Sequence, residues 1–239
     1  VDLKGLSPEE VAARLTMATA EIEGIEYLNR HFATIVAAKL LSVSPHLDSD
    51  HLTLVDADTG KAQYRVVCGA PNHKAGDIVP LALEGTGFPE GLTIRKTKIR
   101  GQESCGMLCS ARELGLSEDH SGILVLPPDT VIGTRLTEIF PDSIDTLIEI
   151  DNKSITHRPD LWGHFGFARE IAALFNRTLM DPVDSSLKNE CTGPASLKVD
   201  IQCPDNCYRY CGLVVDSITV AESPEWLKAR VRAIGMRPI

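Results

Sequence analysis

VVCGAPN, at Val66–Asn72, and KTKIRGQESCGMLCSARELG, at Lys96–Gly115, are the two runs whose reading decides the fold. The first is an apolar strand ending in a Gly-Ala-Pro-Asn turn. The second is a basic strand closed by Gly101, then a Ser-Cys-Gly-Met corner and a short polar helix expected over Ser110–Leu116. Together they describe a small closed β-barrel seen from its rim.

Upstream, Ala33–Ser44 (ATIVAAKLLSVS) reads as a long strand stopped by Pro45, and His51–Asp58 (HLTLVDAD) alternates as the next. Asp58-Thr59-Gly60-Lys61 is a tight turn into Ala62–Cys68. Pro80 in DIVPLAL (Asp77–Leu83) removes a ladder donor, so that strand is expected at an edge or a bulge. Downstream, Leu92–Arg100 reads as one strand, with Gly122–Leu126 and Leu136–Phe140 as further short ones. Six or seven strands in about 110 residues, punctuated by Gly, Pro and Asp, favour a barrel or sandwich over a parallel α/β sheet.

The flanks are helical. Ser7-Pro8-Glu9-Glu10 combines an N-cap, Pro at the first helical position and a capping-box Glu, and Val11, Leu15 and Ala18 share a face of a helix running to about Ala20. After Ile150, Leu161, Phe165, Ala168, Ala172 and Phe175 recur at helical spacing, predicting a long buried helix with Asp160 as N-cap and Asn176 as stop. Met180–Ser196 is a polar connector. Val199–Gln202 and Cys211–Val220 are strand-like, and Ser223-Pro224-Glu225 opens a last helix.

Composition sets limits. The 239 residues are 43% hydrophobic with a formal charge of -9, enough for one or two domains with a real core. There is no run of 18 apolar residues, and the N-terminus VDLKGLSPEE lacks the basic and apolar parts of a signal peptide. The chain is therefore expected in the cytosol, where its seven cysteines would stay reduced. The acidic balance excludes a protein that binds nucleic acid over its whole surface by counterion release. Any RNA contact must be local.

The runs VVCGAPN, KxKxRGxxSxGMxCSxxELG and THRPDLWGHFGFAREIAAL, in this order and spacing, resemble the N-terminal part of the β subunit of bacterial phenylalanyl-tRNA synthetase. The PDNCYRYCG segment and the tail SPEWLKARVRAIGMRPI extend the resemblance over nearly the whole chain. The central segment alone is similar to the tRNA-binding OB domain of free-standing tRNA-binding proteins and of some methionyl-tRNA synthetases. The resemblance implies an α+β chain in which a small OB-fold barrel, residues 33–150, is inserted into a discontinuous mixed α/β domain formed by residues 1–32 and 151–190. Residues 195–239 would be the truncated start of the proofreading region, so the chain reads as a fragment.

The family joins phenylalanine to tRNA through an aminoacyl-adenylate, using ATP and Mg2+, on a catalytic α subunit in a complex of two α and two β chains. The resemblance implies that this part holds no catalytic residue and no cofactor of its own. In agreement, the sequence has no Walker phosphate loop, no Gly-x-Gly-x-x-Gly after a strand and no nucleophile elbow. Its role would be scaffolding and an auxiliary tRNA contact, without membrane or DNA, since the family assigns anticodon recognition to another domain. A self-standing tRNA-binding OB module, acting as chaperone or delivery factor, is the alternative.

Alternation over Leu92–Arg100 puts Lys96, Lys98 and Arg100 on one side and Arg95 opposite. These four with Ser104, Met107 and Ser110 form the candidate tRNA surface, OB barrels binding through strand faces and rim loops. The competing reading is a solvated charged edge, because residues 33–150 hold ten Lys or Arg against sixteen Asp or Glu, a net of -6. Cys203, Cys207 and Cys211 form CxxxCxxxC, which lacks the paired CxxC of structural zinc, and no metal site is assigned. Cys68, Cys105 and Cys109 read as small buried thiols. Asp160, His164, Arg158 and Arg169 are read as a cap and ion pairs holding the helix against the barrel, in preference to an acid–base site. His46, Asp48, Asp50 and His51 are read as a solvated turn, and Trp162, Phe167 and Trp226 as core or interface residues.

Overall fold

The computed structural model describes residues 1–186, 197–215 and 217–239. It is a mixed α+β chain that divides into two compact units: residues 1–23 with 150–222 and 239, and residues 24–149 with 223–238.

The second unit is built on a nearly closed antiparallel sheet. Its strands are β2 (Ile35–Pro45), β3 (Thr53–Asp58), β4 (Gln63–Cys68), β5 (Ile78–Ala82) and β8 (Met107–Leu108), in the order β4-β3-β2-β5-β8. This is the barrel expected of an OB-like fold. A two-residue hairpin turn joins β6 (Thr97–Ile99) to β7 (Gln102–Ser104), and β1 (Ile22–Leu28) pairs with β9 (Asp145–Ile150) as a separate ribbon. Between β2 and β3 the register slips by one residue at Leu41, a bulge that helps the long strand coil.

Burial explains the texture of the strands. Ala38 and Leu40 on β2 and Val79 and Leu81 on β5 point into the barrel with Val55, Ala57, Val66 and Leu108. Ile35 and Ala82, on the opposite faces, pack with Phe32, Phe88, Cys109, Leu114 and Leu136. β5 is thus covered on both sides, and all five of its residues are buried. That is why DIVPLAL shows no alternation. Pro80 is consequently not on a sheet edge, as expected from its missing N–H, but between β2 and β8. It faces Ala37, whose own N–H and C=O are bonded to Thr134 and Gly133, so the Pro80–Ala37 pair needs no donor. The Pro80 carbonyl accepts from the Cys109 N–H at 3.1 Å.

Several short elements differ from the sequence reading. Leu136–Phe140 is not a strand: α2 (Leu136–Ile139) is one helical turn, because Leu136, Ile139 and Phe140 meet the core at i, i+3 and i+4. Ser110–Leu116 makes one α-turn between Ser110 and Leu114 rather than a helix, and Gly115, at φ +65°, ends it. Gly122–Leu126 is extended but joins no ladder. Its bonds go singly to Cys109, Ile78 and Asn72.

In the first unit, α1 (Pro8–Ala18) starts as predicted. Ser7 Oγ accepts from Glu10 N–H at 3.1 Å and the Glu10 carboxylate accepts from Ser7 N–H at 2.7 Å. Val11, Ala12 and Leu15 are buried, whereas Ala18 is exposed. The helix expected from Leu161 begins only at His164: α3 spans His164–Leu174 with Gly163 at the cap. Asp160 does not cap it. It sits in a 3-10 turn, Pro159–Leu161, with its carboxylate gripped by Arg158 Nε and Nη2 at 2.9 and 3.0 Å and by Arg169 at 2.9 Å. Gly166 lies so close to the Asp160 carbonyl that a Cβ would overlap it. Arg158 also binds Glu170 at 3.0 Å, and Glu170 accepts from Thr19 Oγ1 at 2.6 Å, so the ion pairs tie α3 to α1 and to the turn, all inside this unit. The aromatic residues of this stretch are not deeply buried: Trp162, ahead of α3, and Phe165 are exposed, and Phe167 packs on the core of Ala20, Ile155 and Leu161. Val199–Gln202 is not a strand, and neither are the described residues of Cys211–Val220. Asp216 and most of the connector, residues 187–196, lie outside the described residues.

The last helix, α4 (Glu225–Ala233), belongs to the second unit and rests on the 3-10 turn Pro141–Ser143, with Trp226 exposed. Among the described residues no helix is long and apolar enough to cross a membrane.

Leu81 is fully buried at the centre of the barrel. Leu81→Ala is expected to lower stability by about 2–5 kcal/mol, read from the urea midpoint of the barrel signal. In the first unit, hydrogen bonding from Arg158 holds Asp160 down to about 2, and bonds from Thr19 and then Arg158 lower Glu170. Both carboxylates protonate more readily in the unfolded chain, so their contribution is complete above the ordinary carboxylate range, from about pH 5, and is lost as pH falls through that range, for Asp160 toward about 2. Arg158→Ala should flatten that acid loss in a pH series of denaturation midpoints.

Candidate nucleic-acid interface

The basic strand read from Leu92–Arg100 is broken into parts. Only Thr97–Ile99 is strand, Ile94 turns into the core, and Arg95, Lys96, Lys98 and Arg100 stay exposed around it. Arg100 and Gly101 both have positive φ, 45° and 83°, the conformation a tight hairpin turn demands at its two central residues. Arg100 therefore leaves the strand, and the alternation that aligned it with Lys96 and Lys98 stops at Ile99.

Two of these cations are already engaged. Lys96 Nζ pairs with Glu103 across the hairpin at 3.0 Å, a bond that raises its pKa. Arg100 Nη1 donates to the Asp48 carbonyl at 2.9 Å and so ties the hairpin to the turn between β2 and β3. That turn is solvated at Asp48, Asp50 and His51, as read, but His46 is buried and its Nδ1 accepts from Asp48 N–H at 3.0 Å. Lys98 lines an open groove of about 550 Å³ with Asp56, Gln63, Tyr64, Arg65, Gly101, Gln102, Glu103 and Cys105. Within it Arg65 is held by Asp56 through Nε at 3.0 Å, and this bond, with a second from Ser42, lowers the Asp56 pKa.

Ser104, Met107 and Ser110 hold the barrel together. Ser104 is buried; its Oγ accepts from Val67 N–H at 3.1 Å and donates to the Gly106 carbonyl at 3.2 Å. The adjacent Cys105 N–H donates to the Arg65 carbonyl at 2.8 Å, so these two residues bring the hairpin onto β4. Gly106 leaves no room for a side chain, a Cβ there standing 2.9 Å from the Ala82 carbonyl. Met107 pairs with Ala82. The Ser110 hydroxyl and N–H both donate to Glu113 Oε2, at 2.8 and 2.6 Å. Met107 and Ser110 also border a second open groove, with Gly69, Ala70, Pro71, Arg112, His120 and Gly122. Asn72 fixes its wall, donating to the Ile123 carbonyl at 2.8 Å and accepting from Ile123 N–H at 2.9 Å. This Asn72 clamp was not found from sequence, although it ends the VVCGAPN run.

Cys68 and Cys109 are buried thiols, as read, and burial pushes both pKa values up. Cys105 is half-buried, and Cys203, Cys207 and Cys211 are free and at least partly exposed. Among the described residues no group of three or more His, Cys, Asp or Glu side chains could hold a metal ion.

A family model described as "Putative tRNA binding domain" matches residues 35–135, the barrel with both grooves. Over 234 residues, 98% of this chain, the sequence is 42% identical to the phenylalanine–tRNA ligase beta subunit of Anaeromyxobacter dehalogenans. Over its whole length the chain is similar to the N-terminal portion of phenylalanine–tRNA ligase beta subunits. The corresponding subunit of Fusobacterium nucleatum is 39% identical over 241 residues, the whole of this chain, and that of Moorella thermoacetica 39% over 243. The match is to the N-terminal portion, and the chain spans 29 to 30% of the length of these relatives. A solved structure titled as a MetRS related protein from Pyrococcus horikoshii is 17% identical, covers 42% of this chain and 86% of its own, and aligns with a TM-score of 0.33, too low to carry weight.

Removing the Ser104 hydroxyl leaves the Val67 N–H buried without a partner. Ser104→Ala is expected to lower the stability of the barrel by about 1–3 kcal/mol in urea denaturation.

Proposed function

We propose that this chain is the non-catalytic N-terminal portion of a phenylalanine–tRNA ligase beta subunit, serving as scaffold and as an auxiliary tRNA contact in ATP-dependent charging of tRNA with phenylalanine. The observation that carries the reading is the near full-length identity to beta subunits, 42% over 234 residues. In this reading ATP and Mg2+ act on a catalytic alpha subunit, in a cytoplasmic assembly of two alpha and two beta chains. This part needs no cofactor. The arrangement proposed is a barrel, residues 33–150, inserted between 1–32 and 151–190, with 195–239 opening a further domain. The packing of residues 1–23 with 150–222 around one small core supports the insertion.

For the tRNA contact, the exposed cations Arg95, Lys96, Lys98 and Arg100 are the proposed phosphate-facing groups. Ser104, Met107 and Ser110 act beneath them, by fixing the hairpin and the corner. Each engaged cation must leave a partner to reach a phosphate: Lys96 leaves Glu103, and Arg100 leaves the Asp48 carbonyl. Binding is then weak and strongly salt-dependent. The test is the affinity of the chain for a tRNA transcript at two salt concentrations, alongside the triple variant Lys96→Ala, Lys98→Ala, Arg100→Ala. The wild type should bind weakly, and the variant should bind several-fold more weakly with a shallower salt slope. Unchanged binding in the variant would leave the hairpin as a solvated edge and move the contact elsewhere on the barrel.

A further inference from the structure

The described cysteines differ in their surroundings, with Cys105 half-buried between two extremes. Cys68 and Cys109 are sealed in the barrel, whereas Cys203 and Cys211 are exposed and Cys207 partly so. The exposed three stand within nine residues, in IQCPDNCYRYCG. The backbone brings the first two together. The Cys207 N–H donates to the Cys203 carbonyl at 3.0 Å, and Asn206 N–H donates to the same oxygen at 3.1 Å. Cys203 and Cys207 thus open and close a single α-turn. The sequence favours that turn, since Pro204 fixes φ at its first inner position, and Asp and Asn are turn formers.

Residues four apart in such a turn have Cα atoms about 6 Å apart, inside the roughly 4.4–6.8 Å that a disulfide spans. Their Cβ atoms stand about 5–6 Å apart and must close to roughly 3.5–4.5 Å. A lone turn flanked by irregular chain can make that adjustment, where a helix could not without breaking its ladder. Both thiols can be reached from solvent, and Cys207 Sγ lies 3.8 Å from the Arg209 carbonyl.

We propose that Cys203 and Cys207 form a reversible dithiol–disulfide pair, a redox-sensitive site outside the tRNA-binding barrel. The oxidant is a peroxide. One thiolate attacks a peroxide oxygen, breaking the O–O bond and giving a sulfenic acid and hydroxide. The second thiolate then attacks that sulfur, forming the S–S bond and expelling the sulfenic oxygen as hydroxide, and solvent protons convert both hydroxides to water. The two sulfurs lose two electrons, and the peroxide is reduced. A thiol reductant restores the pair by exchange. Because the link is exposed and slightly strained, it is of the labile kind and not a structural staple.

The test treats the 239-residue chain with hydrogen peroxide, alkylates the remaining thiols, and maps cross-linked peptides by mass spectrometry with and without dithiothreitol. The expected product is an intrachain Cys203–Cys207 link that dithiothreitol removes. Cys203→Ser should abolish it, leaving an oxidised or alkylated Cys207, and Cys211→Ser should leave it intact. A link through Cys211, a cross-linked dimer as the main product, or both thiols alkylated after peroxide would overturn the proposal. Conservative exposed substitutions leave the fold in place, so loss of the link in Cys203→Ser reports the pair itself.

Discussion

Closure of the barrel rests on a small contact: the Ser104 hydroxyl and the Cys105 N–H reach across to Val67 and Arg65 of β4. The sheet itself, from β4 to β8, ends in a strand of only two residues, too short to seal a barrel by a ladder. Sealing is done by side chain and corner. Ser104 satisfies a buried N–H that would otherwise be orphaned, and Gly106 lets the corner lie against Ala82 where any Cβ would collide. The Ser-Cys-Gly-Met motif is therefore a piece of structural chemistry. It is also what sets the place of the cations, because the hairpin bearing Lys96, Lys98 and Arg100 hangs from it.

Sequence reading found the barrel because its evidence was long-range and redundant. β2 and β4 are apolar runs and β3 alternates, bounded by Pro45, the Asp58–Lys61 turn and the Gly-Ala-Pro-Asn turn, and tertiary packing agrees with each of these signals. It failed where a short element serves two masters. Leu136, Ile139 and Phe140 can be written as a strand or as one helical turn, and five residues cannot arbitrate. Pro80 looked like an edge signal because the rule concerns a missing donor. In the fold its neighbour Ala37 had already placed both polar groups elsewhere, so nothing was missing. Asp160 looked like a cap until Arg158 and Arg169 claimed both of its oxygens.

The candidate interface was legible as a list of residues and not as a surface. Alternation put three cations on one strand face, but strand geometry ends at Ile99, and the left-handed Arg100 turns its side chain toward Asp48. Positive φ at a non-glycine residue carries no sequence signal beyond the adjoining Gly101. The roles of Ser104 and Ser110 were hidden for a related reason: a serine that seals a barrel and a serine that meets a phosphate look alike until its partners are known.

The same partners limit how the barrel can use its charge. A region with a net of -6 repels a polyanion at long range, and its salt bridges neutralise Lys96 and Arg65 at short range. Such exposed pairs are individually weak, about 0–1 kcal/mol each, so a phosphate can displace a carboxylate at little cost once it is near. Nothing in this arrangement draws the phosphate in from a distance. A phosphate contact built this way is slow to form by itself and easily lost to salt; under the proposed function it adds usefully once other parts of the assembly have brought the tRNA to the rim, where the effective concentration is set by tethering and not by steering.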